Sequence, residues 1–348
     1  MSRESFRDSI QEKYKTSVHQ YDPLNRQPVE AIPTGILSFD IASGIGGFPK
    51  GNIVEIYGPE SGGKTLLSLV SLAYAQRMYG AVGLYFDLEG STPQPWLETL
   101  GIDLNLLDII KSDLTAEKCL DAIVDAIESD AYTYIIIDSV PAMISDQEWE
   151  GEIDQNYISP IARVMGKGVK KITSALSRCK SRPCVIFINQ VREKVGVIMG
   201  NPEITPGGKA LKFFAAQRYR VKRGKEETNH GAVVGHEVCV NNIKNKLAPP
   251  KREGSFHLSY TQGLDTVKNI MDFLKQLKMY TKKGMKYTLT LENESFDFDT
   301  VGAIKDRITD DKAFQLRVYN TIIEQYFEQH GEPSTIVDDD FSEDFKDE

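Results

Sequence analysis

No stretch of this sequence stays apolar long enough to cross a bilayer. The longest apolar runs, such as Tyr134 to Ile137, are strand-sized, whereas a membrane span needs about 20 residues. The N-terminal MSRESFRDSIQEKYK has no apolar h-region, so no secretory signal is expected. Cysteine is scarce as well. Cys119, Cys179, Cys184 and Cys239 are scattered, with no second close pair and no nearby histidine, which argues against a disulfide framework or a zinc site. No tandem repeat is visible. These absences lead us to expect a soluble chain without membrane partners, in a reducing cytoplasm.

What is present is ordinary globular composition: 348 residues, 41% hydrophobic and 26% charged. This length suits one core domain with small appendages. The formal net charge of −9 speaks against nucleic acid only superficially. Much of it comes from the acidic stretch Asp338 to Glu348, whereas Arg218 to Lys225 reads RYRVKRGK. Fields act over a Debye length of about 8–10 Å, so a locally basic groove survives an acidic total.

Residues 1–33 read as an arm. Arg3 to Tyr14 can form a helix with Phe6, Ile10 and Tyr14 on one face, a stripe too small to fold alone. It should dock either on its own core or on a neighbouring subunit. Residues 34–262 alternate strand and helix: strands at 53–57, 82–88, 134–138 and 185–189, helices at 64–78, 116–128 and 158–179. That alternation predicts an α/β core, a mainly parallel twisted sheet flanked by helices. Segments 217–222, 236–241 and 255–260 should add antiparallel or mixed strands. Residues 263–332 read as a small C-terminal α+β appendage, with helices at 267–277 and 313–329 and a strand at 287–291. Residues 333–348 form an acidic tail expected to be disordered.

The strand at 53–57 runs into Gly58-Pro59-Glu60-Ser61-Gly62-Gly63-Lys64-Thr65, and a helix follows. This is a P-loop in its proper context. Glycines let backbone N–H groups converge on phosphates, the helix N-terminus adds positive potential, Lys64 sets a charge at the β- and γ-phosphates, and the Thr65 hydroxyl ligates Mg²⁺. Asp138 ends another strand and is expected to hold Mg²⁺ through water. Glu89 ends the strand at 82–88, where a carboxylate can activate water; Asp87, two residues away on the same face, competes for that role. ATP and Mg²⁺ are the implied ligands. Asn245-Lys246 is not followed by the aspartate that reads guanine, which disfavours a GTPase. A small-molecule kinase stays open on the P-loop alone.

More of the sequence fits a pattern. Val54 to Ser61, Asp138-Ser139-Val140, Glu150 to Ile153, Phe187 to Gln190, Gly200 to Glu203, Gly207 to Phe213 and Lys244-Asn245-Lys246 resemble, in order, segments of the RecA-type recombinases of bacteria and phages. The resemblance spans about residues 32–280 and implies a RecA-like fold. It also implies a DNA recombinase and DNA-dependent ATPase that forms a helical filament on single-stranded DNA, pairs it with homologous duplex DNA, and serves DNA repair and the damage (SOS) response. By the same resemblance Glu89 activates water and Gln190 senses the γ-phosphate. Lys244 and Lys246 reach the γ-phosphate of a neighbouring subunit, and Trp96 stacks on adenine. Lys64, Glu89, Gln190, Lys244 and Lys246 are then the catalytic set.

Two loops are expected to hold DNA. The first covers about residues 145–157 and is followed by a helix bearing Arg163 and Lys170. The second covers 191–209. There Arg192 and Lys194 supply charge, Gly200, Gly207 and Gly208 permit backbone approach to phosphate, and Val197, Ile198 and Met199 can wedge between bases. Glu148, Glu150, Glu152 and Asp154 fit the first loop poorly, because carboxylates cannot bind phosphate, and Lys170 stands where the family usually has arginine. The rival readings are a ring helicase on the same ATPase core and a mediator that binds ATP but barely hydrolyses it. The Gly200–Lys212 stretch disfavours the first, and the set Lys64, Glu89 and Asp138 the second.

Overall fold

The structure is a computed structural model and describes residues 3–14, 29–111, 113–152, 160–193, 203–260 and 263–330. Helix α1 (Arg3–Tyr14) is followed by β1 (Ala31–Ile32), α2 (Leu37–Ser43) and β2 (Phe48–Pro49). The core then runs β3 (Ile53–Gly58), α3 (Lys64–Tyr79), β4 (Gly83–Asp87), α4 (Gln94–Thr99), β5 (Leu107–Lys111), α5 (Ala116–Glu128), β6 (Tyr134–Asp138), α6 (Asp146–Glu150), α7 (Pro160–Leu176) and β7 (Cys184–Gln190). It continues through β8 (Arg192–Glu193), β9 (Glu203–Ile204), α8 (Ala210–Phe214), β10 (Gln217–Asn229), β11 (Ala232–Asn245) and β12 (Glu253–Ser259). Last come α9 (Thr266–Gln276), β13 (Tyr280–Lys283), β14 (Lys286–Leu291), β15 (Glu294–Phe298), α10 (Val301–Asp310) and α11 (Lys312–Gln329).

The central sheet has eight strands in the order β12-β11-β10-β3-β7-β6-β4-β5. From β10 to β5 every neighbouring pair is parallel; β11 and β12 are antiparallel additions. β6 is buried at all its positions, as a parallel strand covered on both faces must be. One core cluster lies on each face of the sheet, and β3, β6 and β7 feed both by alternation. Each fully buried Leu, Ile or Phe there contributes roughly 1.5–3 kcal/mol. Among the described residues no helix is long and apolar enough to cross a membrane.

The structure corrects the sequence reading in several places. β5 is a strand that the pattern does not announce, because Asp108 and Ile109 are exposed on this sheet edge and no apolar alternation shows. β10 and β11 run for 13 and 14 residues, well past 222 and 236, as a polar hairpin. The first expected DNA loop opens as helix α6. Ser145 Oγ and Glu148 form a capping box, and Glu117 Oε2 accepts from the Asp146 N–H at 2.9 Å. Glu148 is therefore a helix-capping group. No residue of α1 is buried, and Phe6 and Tyr14 are 56% and 60% exposed, so the stripe of α1 is not buried against its own core.

The C-terminal elements surround a third core cluster into which Leu37 of α2 inserts. The same helix supplies a polar tie. Asp40 is fully buried and accepts hydrogen bonds from Thr34 N (2.9 Å), Thr34 Oγ1 (2.6 Å) and the Tyr319 hydroxyl of α11. Burial outweighs these donors and pushes the Asp40 carboxyl up to about 7. The unfolded carboxyl titrates near 3.9, so between those values the folded chain holds a proton that the unfolded chain has lost. This contribution to stability is full below about 4 and is lost as pH rises through about 7, by about 4 kcal/mol at most. Asp40→Asn removes that slope, since both hydroxyls can turn to accept from the amide. Urea melts at pH 4.5 and 7.5 should show a smaller stability difference in the variant once the common titration of other carboxylates is subtracted. Parallel curves for the two proteins refute the assignment.

Candidate nucleotide site and DNA-facing loops

The loop after β3 is shaped by its neighbour β10. A Cβ on Gly58 would lie 1.9 Å from the Val221 carbonyl oxygen, so only glycine fits where the loop crosses that strand. Gly62 also lies against the Val221 oxygen, and Gly63, at φ +95°, is the left-handed residue that starts α3. Pro59, Glu60 and Ser61 are exposed at the crest. Lys64 is buried and folds back over the loop, its Nζ donating to Gly58 O (3.2 Å) and Pro59 O (2.7 Å). Burial lowers its pKa, while Asp138, Glu89 and Glu60 act in the opposite sense.

Thr65 Oγ1 donates to Asp138 Oδ2 at 2.5 Å, and the Tyr85 hydroxyl donates to the same oxygen at 3.1 Å. Burial pushes the Asp138 carboxyl up to about 6, with the charges of Glu89 and Asp87 adding to it and the Thr65 bond opposing it. A hydroxyl and a carboxylate are hard oxygen donors, and a buried carboxylate beside two others is an arrangement that a divalent cation relieves. These residues fit Mg²⁺.

The two carboxylates that compete at the end of β4 are separated by their partners. Asp87 is buried and accepts from the backbone N–H groups of Ser91 (3.2 Å) and Thr92 (3.3 Å), holding the turn. Glu89 is exposed at the site's mouth, where it accepts from Ser139 Oγ and from Gln190 Nε2 at 3.5 Å. Ser139 follows Asp138, so the end of β6 orients both carboxylates. The sequence places this serine in the segment Asp138-Ser139-Val140 but gives it no role, because its partner Glu89 lies on another strand. Trp96, in α4, is half-buried against the first core cluster.

Lys244 and Lys246 lie elsewhere. Lys244 pairs in register with Arg218, which pairs with Glu55, and the Lys246 N–H donates to Ala216 O, beside Ile53. Lys246 sits by the start of β3, about 16 Å of strand from Gly58, and Lys244 about 10 Å from it along the strand and two strands across, both further than a lysine reaches. Lys244 Nζ donates to the carbonyls of Lys212, Phe213 and Ala215, and Lys246 Nζ to that of Phe213, at the C-terminal end of α8. Burial, with the Lys246 ammonium adding to it, pushes Lys244 down to about 8.

Of the residues expected to touch DNA, Arg163 and Lys170 are exposed on α7 and Arg192 is exposed on β8. Gly207 (φ +83°) is buried, and a Cβ there would meet Val140 at 2.9 Å, so packing as well as the backbone conformation requires glycine. Gly208 (φ +78°) stays exposed, and a Cβ on it would meet Ala162 at 2.8 Å. The return of the second loop therefore rests on the first turn of α7, next to Arg163. Lys194, Val197, Ile198, Met199 and Gly200 lie outside the described residues, as do Ile153 to Tyr157 of the first loop and the acidic tail.

A glycine-rich loop leading into α3, a buried carboxylate bonded to Thr65 and a carboxylate–amide pair at Glu89 and Gln190 suit the hydrolysis of nucleoside triphosphates. The class is that of the P-loop ATPases. Comparison with known proteins narrows it. The family model for the RecA N-terminal domain matches residues 5–265. Protein RecA of Thermus thermophilus is 42% identical over 271 residues, covering 78% of each chain. Protein RecA of Aquifex pyrophilus is 40% identical over 281 residues, 80% of each. Protein RecA of Ruminococcus albus is 41% identical over 270 residues, 78% of this chain and 67% of that one. Among solved structures, the RadB recombinase shares the fold, with a TM-score of 0.50 and 18% identity over 66% of this chain and 97% of that one. The chain belongs to the RecA family. It is a DNA recombinase and DNA-dependent ATPase, of a family that uses ATP and Mg²⁺.

Proposed function

We propose that this chain assembles on single-stranded DNA as a helical filament whose subunits are joined across ATP, and that the filament pairs the strand with homologous duplex and exchanges strands. The observation that carries the reading is the approach of Gln190 Nε2 to Glu89 Oε1. Gln190 ends β7, and the second loop begins at the next residue. The group that would read the nucleotide thus sits at the root of the segment that would grip DNA.

Thr65 and, through water, Asp138 would hold Mg²⁺, which supplies charge neutralisation at the β- and γ-phosphates. Lys64 leaves its loop carbonyls for the phosphates, and Trp96 offers its ring to the adenine. Glu89 takes the proton of the attacking water, and Ser139 fixes the orientation of its carboxylate. Lys244 and Lys246 act on the neighbouring subunit, and their placement at the far end of the sheet supports that reading. A head-to-tail contact of this kind leaves an open helix. The stripe Phe6, Ile10 and Tyr14 then packs on the adjacent subunit. Arg163, Lys170, Arg192, Lys194, Gly200, Gly207 and Gly208 contact the strand's backbone, with Val197, Ile198 and Met199 against its bases.

Fluorescence anisotropy with a single-stranded oligonucleotide tests this. A non-hydrolysable ATP analogue should tighten binding about tenfold or more relative to ADP or no nucleotide. Equal binding in all three states would falsify the proposal. Electron microscopy of the same mixture separates a helical filament from the ring of a helicase and from an unpolymerised mediator.

A further inference from the structure

The second loop leaves the core from β7 and returns to it through β9. Among the described residues, β8 and β9 close it by pairing Arg192 with Ile204 and Glu193 with Glu203. Two further contacts hold the returning arm. Asn189 Nδ2 donates to Pro206 O (3.1 Å) and to Glu55 Oε1 (3.0 Å). Arg220 grips Glu203 with Nε donating to both carboxylate oxygens (3.1 and 2.9 Å) and a terminal nitrogen reaching Oε1. The pair is largely shielded, with Arg220 and Glu203 side chains 29% and 20% exposed. A fork of this kind fixes direction as well as distance.

The place of Arg220 gives that contact a consequence. On β10 it lies in register with Tyr57, the residue before Gly58, and Val221, the next residue, presents the carbonyl against which Gly58 and Gly62 pack. The backbone of β10 therefore forms one wall of the P-loop at the point where its side chain holds the DNA loop. Both strands flanking β3 are tied to the second loop, β7 at its departure and β10 at its return. Behind Arg220, the buried pair Arg218–Glu55 and the cation–π contact of Arg218 with Tyr57 (4.5 Å) keep β10 from shifting alone.

We propose that Arg220 is a positioning residue that, through Glu203, makes the phosphate loop respond to the state of the DNA-facing loop. Its guanidinium is taken up by the Glu203 carboxylate. The inference rests on the assignment of the second loop to DNA, and the test keeps the two apart.

Steady-state ATP hydrolysis is measured on the full chain, with and without oligodeoxythymidylate, for wild type, Arg220→Glu, Glu203→Arg, the exchanged double variant, and Glu203→Gln. Each single variant should lower the DNA-stimulated kcat about fivefold or more, the scale of an allosteric coupling, while the KM for ATP stays within about twofold. The exchanged pair should recover most of the stimulation. Glu203→Gln, which keeps shape and loses charge, should fall between and melt at the wild-type temperature. Three results overturn the proposal: single variants stimulated like wild type, a double variant no better than the worse single, or a loss that appears equally without DNA. If wild-type hydrolysis ignores DNA, the assignment of the loop fails first and the proposal with it.

Discussion

Glu89→Gln should form ATP-dependent filaments on single-stranded DNA yet turn ATP over on the order of 10²–10⁴ times more slowly, the range assigned to a positioned general base. The reason is local. The amide keeps an oxygen that can accept from Ser139 Oγ and from Gln190 Nε2, so the polar contacts that set the loop survive. It cannot take a proton from water. A loss of 10² to 10⁴ corresponds to about 3–5 kcal/mol of transition-state stabilisation, more than reorienting one exposed side chain would cost. Asp87 cannot substitute, because its oxygens are engaged by Ser91 and Thr92 and it is buried. Turnover is read with saturating oligonucleotide, and assembly by electron microscopy of the same samples. If filaments and turnover fall together, Glu89 is a structural group at the loop root and the base lies elsewhere.

The sequence gives the phosphate loop and the parallel strands away because their signals are local. A glycine pattern between strand and helix, and apolar runs such as Tyr134 to Ile137, need no knowledge of the rest of the chain. What stayed hidden depends on partners far along it. Asp87 and Glu89 look equivalent at the end of one strand, and only the donors facing each separate them. Ser139 gains its role from Glu89, 50 positions earlier. Arg220 reads as one member of a basic stretch until Glu203 is placed beside it. Asp40 and Tyr319, 279 positions apart, join two units through a hydrogen bond that no period records. The edge strand β5 and the short helix α6 escape for the opposite reason, since both are held by neighbours and hydrogen bonds rather than by an apolar stripe of their own.

The separation of Lys244 and Lys246 from their own P-loop leads to the strongest test of assembly. Lys64→Ala protein should not hydrolyse ATP, and Lys244→Ala/Lys246→Ala protein should lose on the order of 10³ in turnover, the scale of charge supplied in trans to a phosphoryl group. Mixed in equal amounts, the two should recover about a quarter of wild-type activity, because one junction in four then joins an intact phosphate loop to intact lysines. The argument is geometric. The lysines lie beside Glu55 and Ile53, while Gly58 to Thr65 occupy the other end of that strand, so no side-chain rotation brings them together within one subunit. Their present acceptors, the carbonyls of Lys212, Phe213 and Ala215, mark the end of a helix where a cation is already favoured. Moving an ammonium from there to a neighbour's γ-phosphate exchanges partial charges for a full one, which favours the joined state only while the triphosphate is intact. Mixing defective subunits that each complete their own site would restore nothing, and an activity no higher than the sum of the two separate proteins ends the trans assignment, whatever filaments are seen.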